Sequence, residues 1–216
     1  GACVLVAEVN AKEAQQQEDD GYLNWVTDSI DKALEWIDKG LREKKPLSVC
    51  IIANAATVAT ELLRRKRIPD IVTDQTPAHD LMEYIPEGKS YSWNLWYRDK
   101  NPEEYLELSK ATLIKHARAL MTLQKKGSIV FDYGNQLREQ AERYGLSMRK
   151  KDGTFVYPGF IETYIRPLFC EGIGSFRWTV LSGLKKDLLT IDNALVNAFP
   201  NKPALKRWVE KAQNQI

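Results

Sequence analysis

Leu47-Ser48-Val49-Cys50-Ile51-Ile52-Ala53-Asn54 is the most informative stretch of this sequence. Its short apolar run predicts a strand, and Asn54 ends it directly. A short helix is expected from about Ala55 to Lys66. Upstream, Cys3-Val4-Leu5-Val6-Ala7 is another unbroken apolar run, the pattern of a strand buried on both faces. Between the two strands, Ile30, Ala33, Leu34, Ile37 and Leu41 recur at helical spacing. Asp28 and Asp31 at the start of that helix, and Arg42, Lys44 and Lys45 at its end, suit the helix dipole. Asn10 to Gly21 is polar and shows no apolar period.

Downstream, Ile68 to Thr73 predicts a third strand whose start is delayed by Pro69. Asn101-Pro102 opens a long helix as N-cap and first helical residue, Leu106, Leu113, Ala117 and Leu120 give it an apolar stripe, and Gly127 closes it. Ser128 to Tyr133 predicts a fourth strand, and Gly134-Asn135 leads into another helix. Strand and helix alternating over short connections mark a parallel sheet with helices on both faces. Tyr157 to Gly183 is aromatic and irregular, and Trp93, Trp96, Tyr91 and Tyr97 gather around an expected loop. Two short helices finish the chain, the last carrying Leu205, Trp208, Val209 and Ala212. With no internal repeat or linker-like break, residues 1–216 are expected to form one α/β domain with an irregular C-terminal extension.

The 216 residues are 44% hydrophobic and 28% charged, ordinary for a globular protein with a core of its own. A net charge of +2 is too near balance to argue for a nucleic-acid partner. No apolar run approaches the roughly 20 residues that span a bilayer, and no signal peptide is evident. Cys3, Cys50 and Cys170 lack metal-ligand spacing and read as reduced thiols of a cytoplasmic protein.

In an open parallel sheet, ligands bind beyond the carboxyl ends of the strands. The polar residues expected there are Glu8, Asn54, Asp74-Gln75-Thr76 and Asp132-Tyr133-Gly134-Asn135, brought by four strands to one rim. Loops are polar everywhere, so this rim reads equally as a binding site or as ordinary connections. Glu8 is the most specific. In dinucleotide-binding folds an acidic residue at the end of the second strand bonds ribose hydroxyls, about 20 residues after a glycine-rich turn. No G-x-G-x-x-G occurs in the sequence, so that turn is expected before residue 1. Asp132 reads either as an acid–base group or as the anchor of its turn, and His116 as a structural histidine.

Several long strings resemble one family. Asp70-Ile71-Val72-Thr73-Asp74-Gln75-Thr76-Pro77-Ala78-His79-Asp80 is similar to the urocanase segment PD-(I/V)-VTDQTSAHD, and Phe131-Asp132-Tyr133-Gly134-Asn135 to its FDYGN. Tyr157-Pro158-Gly159-Phe160, Tyr164-Ile165-Arg166-Pro167-Leu168-Phe169-Cys170 and Gly172-Ile173-Gly174-Ser175-Phe176-Arg177-Trp178 resemble the family's longest motif. The spacing fits apart from one residue missing between Asp80 and Tyr84.

The resemblance implies a Rossmann-like fold, NAD as cofactor, and urocanate hydration to 4-imidazolone-5-propanoate in histidine breakdown. It implies that Glu8 bonds ribose, that Asn54 and Ala55 contact the cofactor, and that Gln75, Thr76, Pro77, Ala78 and His79 wrap over it. Tyr84 and Ile85 add a further contact, and Tyr133 an aromatic beside it. Arg177 falls where an arginine would pair with the substrate carboxylate, although it also reads as a brace for the surrounding glycine turns. Three positions depart from the pattern: Glu13 replaces an arginine, Ala53 a glycine and Pro77 a serine. The family's GMGG turn is absent and its catalytic cysteine belongs to an FQGLPARICW motif expected past Ile216. These features read as a central domain cut from the remaining urocanase segments, inactive on its own. The alternatives are an excised or redesigned scaffold that binds nothing, and an ordinary NAD-dependent dehydrogenase.

Overall fold

The computed structural model describes residues 2–171, 174 and 178–214. Where the sequence reads as one domain, the chain groups into two compact units, Gly1–Leu168 and Phe169–Ile216. The first unit opens with β1 (Cys3–Glu8), α1 (Ala11–Asp19), β2 (Trp25–Thr27), α2 (Ile30–Glu43), β3 (Leu47–Ile52) and α3 (Ala55–Arg64). β3 lies in the middle of a parallel sheet, with β1 on one side and β2 on the other. Successive strand residues point to opposite faces. Val49 and Ile51 therefore pack with Ala33, Ile37, Val58 and Leu62 of α2 and α3, while Cys50 packs on the other face with Ala14 and Leu23. Both faces of this sheet are covered, as its apolar strands require.

Two elements of this region escape the sequence pattern. α1 is capped by the Asn10 side chain, which accepts from Lys12 N at 3.1 Å, but it buries only Ala14. A helix with one buried residue has no apolar period to detect. β2 is three residues long, too short to show alternation.

The rest of the first unit holds β4 (Ile71–Asp74), α4 (Tyr91–Lys100), α5 (Pro102–Lys125), β5 (Ile129–Asp132) and α6 (Leu137–Arg143). β4 and β5 form a second parallel sheet, in register from Ile71 opposite Ile129 to Asp74 opposite Asp132. The expected rim of four neighbouring strands is thus divided: among the described residues β1 bonds to β3, β4 bonds to β5, and the two pairs do not join. Helix packing links the halves instead, with α3 lying against α5. Val130 packs into a core with Leu113, Ala117, Leu120 and Leu123, whereas Ile71 and Ile129 stay 59% and 52% exposed on the opposite face.

Pro69 delays β4 to Ile71, as expected. Asn101 precedes α5 without making a side-chain cap bond, and Gly127, at φ +109°, ends that helix in a conformation that favours glycine. The aromatic cluster expected on a loop is helical. Trp93 and Tyr97 stack at 4.4 Å on α4, whose one buried residue is Asn94, so its aromatic content carries no core-facing stripe.

A π-helical turn, Ile161–Ile165, runs directly into α7 (Arg166–Cys170). The second unit contains α8 (Lys185–Ala198) and α9 (Pro203–Gln213), the two terminal helices expected. Asp192 of α8 is buried and accepts from Trp178 Nε1 at 3.0 Å and Gln213 Nε2 at 3.1 Å. No described helix is long and apolar enough to cross a membrane.

Candidate functional site

The polar residues at the strand ends form two groups within the first unit. At the tip of the first sheet, Glu8 ends β1 beside β3, and Ala53 N donates to Glu8 O at 3.0 Å. One Glu8 carboxylate oxygen accepts from Asn10 N at 2.8 Å. Asn54 is the N-cap of α3: its Oδ1 accepts from Ala56 N at 2.9 Å, and Ala55 is the first helical residue. The same side chain reaches outward, donating from Nδ2 to Ile85 O at 2.7 Å. Glu8, Asn54, Ala55 and Ile85 are therefore one group, although Ile85 lies 31 residues from Asn54.

Tyr84 turns away from that group. Its ring is buried, its hydroxyl meets His116 Nδ1 at 3.1 Å, and its carbonyl accepts from Tyr105 OH and Ser109 Oγ. Burial holds the Tyr84 hydroxyl well above the usual phenol range and pushes His116 below the usual imidazole range, although Asp74 opposes the latter shift. This pair is a core contact, in keeping with the structural reading of His116. It leaves the Tyr84 side chain inaccessible to a ligand.

At the tip of the second sheet the groups are tied across strands. Asp74 is buried and accepts from Thr76 N at 3.1 Å, from Thr76 Oγ1 at 2.9 Å and from Asn135 Nδ2. Asn135 Nδ2 also donates to Thr76 O at 2.9 Å. Pro77 starts a tight turn closed by Asp80 N on Pro77 O at 3.1 Å. That turn buries Ala78 completely and leaves Gln75 and His79 exposed. Gln140 of α6 holds the far end of the loop by donating to His79 O at 3.3 Å.

Asp132 anchors its own turn. Its Oδ1 accepts from Gly134 N at 2.6 Å, and Gly134 has φ +106°. Its Oδ2 lies 3.2 Å from Arg138 Nε, both side chains being almost wholly buried. Arg138 Nη1 donates to Tyr157 O at 3.0 Å, and its guanidinium lies over the Phe155 ring at 4.4 Å. The bond to Gly134 N and the ion pair hold the turn after β5, while Asp132 Oδ2 and Arg138 Nε make no hydrogen bond among the described residues. Tyr133, 47% exposed, stacks on Phe160 with centroids 5.0 Å apart.

Sequence reasoning missed the tethering roles of Asn135, Arg138 and Gln140. The FDYGN string flagged Asn135 as part of a motif, but nothing local marks Arg138 or Gln140, whose partners lie 6 to 61 residues away or on another strand. Cys50 is buried, and desolvation raises its thiol to about 11, so it is a protonated core thiol at neutral pH. Cys170 is exposed and Glu13 lies on the solvent side of α1. Arg177 lies outside the described residues. Among those described, no group of three or more His, Cys, Asp or Glu is arranged to hold a metal.

A family model for the urocanase Rossmann-like domain matches residues 1–164, and one for the urocanase C-terminal domain matches residues 167–216. The boundary between the matches falls beside the division between the two structural units. Parallel strands, alternating helices and polar strand ends agree with the first description, and the chain belongs to the urocanase family.

Proposed function

We propose that the first unit is the NAD-binding part of a urocanate hydratase, a hydro-lyase of histidine breakdown acting in the cytoplasm. The observation that carries this reading is the adjacency of two parallel strand ends, where Glu8 lies opposite Ile52 and Ala53 N donates to Glu8 O one residue before Asn54. The donor set suits a dinucleotide. Glu8 keeps one carboxylate oxygen without a hydrogen bond among the described residues, as a ribose hydroxyl donor requires. Asn54 and Ala55 present the start of α3, which favours an electron-rich ligand. Gln75 and His79 offer exposed polar side chains, and Tyr133 offers a ring face.

In this reading Glu8 binds ribose, Asn54 and Ala55 orient the nucleotide, and Gln75, Thr76, Pro77 and His79 cover it, with Ala78 anchoring their loop from the core. Ile85 holds Asn54 through its carbonyl, whose second lone pair is left for a ligand donor. Tyr84 supports from beneath. Arg177 pairs with the carboxylate of urocanate. When bound, oxidised NAD supplies an electron-poor ring as the electrophile for hydration. The 216 residues contain no glycine-rich pyrophosphate turn, and Cys50 is a buried protonated thiol. We therefore assign the pyrophosphate contacts to another urocanase segment, and with them, following the family resemblance, the catalytic cysteine.

Calorimetric titration of this chain with NAD tests the reading. The expected result is weak saturable heat, reduced at least about tenfold in affinity by Glu8→Ala, a loss of about 1.4 kcal/mol. No turnover of urocanate by the chain alone is expected at its ultraviolet band. Absence of NAD heat, or heat unaffected by Glu8→Ala, would leave a fold that binds no nucleotide at this rim.

A further inference from the structure

We infer that Asp74 and Asn135 form a clamp that positions the 75–79 loop for nucleotide binding, with Gln140 as a second tether; this rests on the reading of the site given above. Three observations converge on it. First, the Asp74 carboxylate is buried, and the hydrogen bonds it accepts come from Thr76 N, Thr76 Oγ1 and Asn135 Nδ2, all donors from the loops beyond β4 and β5. A buried carboxylate without donors is costly, so ordering of the two loops and satisfaction of that charge are one event.

Second, position 135 uses both ends of an amide. Nδ2 donates to Asp74 and to Thr76 O, while Oδ1 accepts from Leu137 N at 3.4 Å at the start of α6. Aspartate supplies no donor there, and leucine supplies neither function. Asparagine is the residue that joins the first turn of α6 to the β4 loop. Third, the result of the clamping is directional. Ala78 is pinned in the core with no exposure, the His79 carbonyl is held by Gln140, and the Gln75 and His79 side chains face solvent. A loop with its apolar member anchored and its polar members presented needs little further ordering when a ligand arrives.

Asp74 and Asn135 are thus positioning residues, acting through the loop rather than on the ligand. The test combines amide hydrogen exchange of the nucleotide-free chain with NAD calorimetry. Asn135→Asp sets two carboxylates against each other. Exchange across residues 75–80 should quicken by at least about tenfold, while β1 and β3 keep wild-type rates. Asp74→Asn combined with Asn135→Asp restores a donor opposite a carboxylate, though not the bond to Thr76 O, and should recover part of the protection. Asn135→Ala, which adds no charge, should give the same local effect should Asn135→Asp fail to fold. Wherever wild type binds NAD, the affinity should fall in step with the lost protection. Unchanged exchange at 75–80, or an equal rise in β3, overturns the clamp. The exchange arm needs no nucleotide. A wild-type chain that gives no NAD heat therefore counts against the proposed cofactor site alone, and exchange still decides the clamp.

Discussion

The two sheets of the first unit end their strands in different ways. In both sheets the polar residues at the tips accept from backbone N–H groups two residues on, and of those described in the β1–β3–β2 sheet Asn54 alone reaches further, to Ile85 O. Glu8 accepts from Asn10 N, Thr27 Oγ1 from Ser29 N, and Asn54 Oδ1 from Ala56 N. In the β4–β5 sheet, Asp74 reaches Asn135 across 61 residues, and Asp132 and Arg138 form a buried ion pair. The first arrangement leaves side chains partly available to a ligand. The second uses its polar groups to hold two loops together. A strand end can therefore serve a binding site either by offering a group or by fixing the loop that offers one.

The sharpest way to break this contrast is at the buried ion pair. Arg138→Met removes the counter-charge of Asp132 and should lower unfolding stability by about 3–5 kcal/mol, measured by urea denaturation. A loss below about 1 kcal/mol would mean that the second sheet does not depend on its network. The first sheet should respond instead to crowding. Gly40 of α2 faces β1 and β3 so closely that an added Cβ would lie 2.8 Å from Cys3 Sγ and 3.3 Å from Leu47 Cβ. Gly40→Ala should cost about 1–3 kcal/mol, seen as a lower thermal midpoint, and an unchanged midpoint would show that this sheet yields easily.

Asn54→Ala should cost about 1 kcal/mol through loss of the α3 cap, and should also loosen residues 84–86 in hydrogen exchange. Loosening confined to α3 would show that the tether to Ile85 is passive. The smallest effect concerns pH. Burial lowers the His116 pKa from 6.5, so below that value the unfolded chain binds more protons than the folded one. The stability due to neutral His116 is complete above about pH 6.5 and declines as pH falls toward the lower folded value, with a slope of at most about 1.4 kcal/mol per pH unit. His116→Gln should flatten that part of the profile. A profile that keeps its slope would place the titrating group elsewhere.

Caps and strands were legible because they are local. Asn54 after an apolar run, Pro102 at a helix start and Gly127 after its end act within a few residues, and the structure bears each position out. The long strings around Asp74 and Asp132 identified the second rim, yet they did not show Asn135 bonded to Asp74 or Tyr84 turned inward to His116. α1 and α4 were invisible because each buries a single residue, Ala14 and Asn94 respectively.

Hydrophobic pattern alone determined that this chain builds parallel strands between helices, since period and run length are properties of neighbouring residues. Tertiary structure alone decided that the strands divide into two sheets, that Asn54 reaches Ile85, and that Asp132 is neutralised by Arg138. Those outcomes depend on which distant groups must share a buried space. A buried polar atom finds its partner wherever the packed fold places one, whatever the distance along the chain.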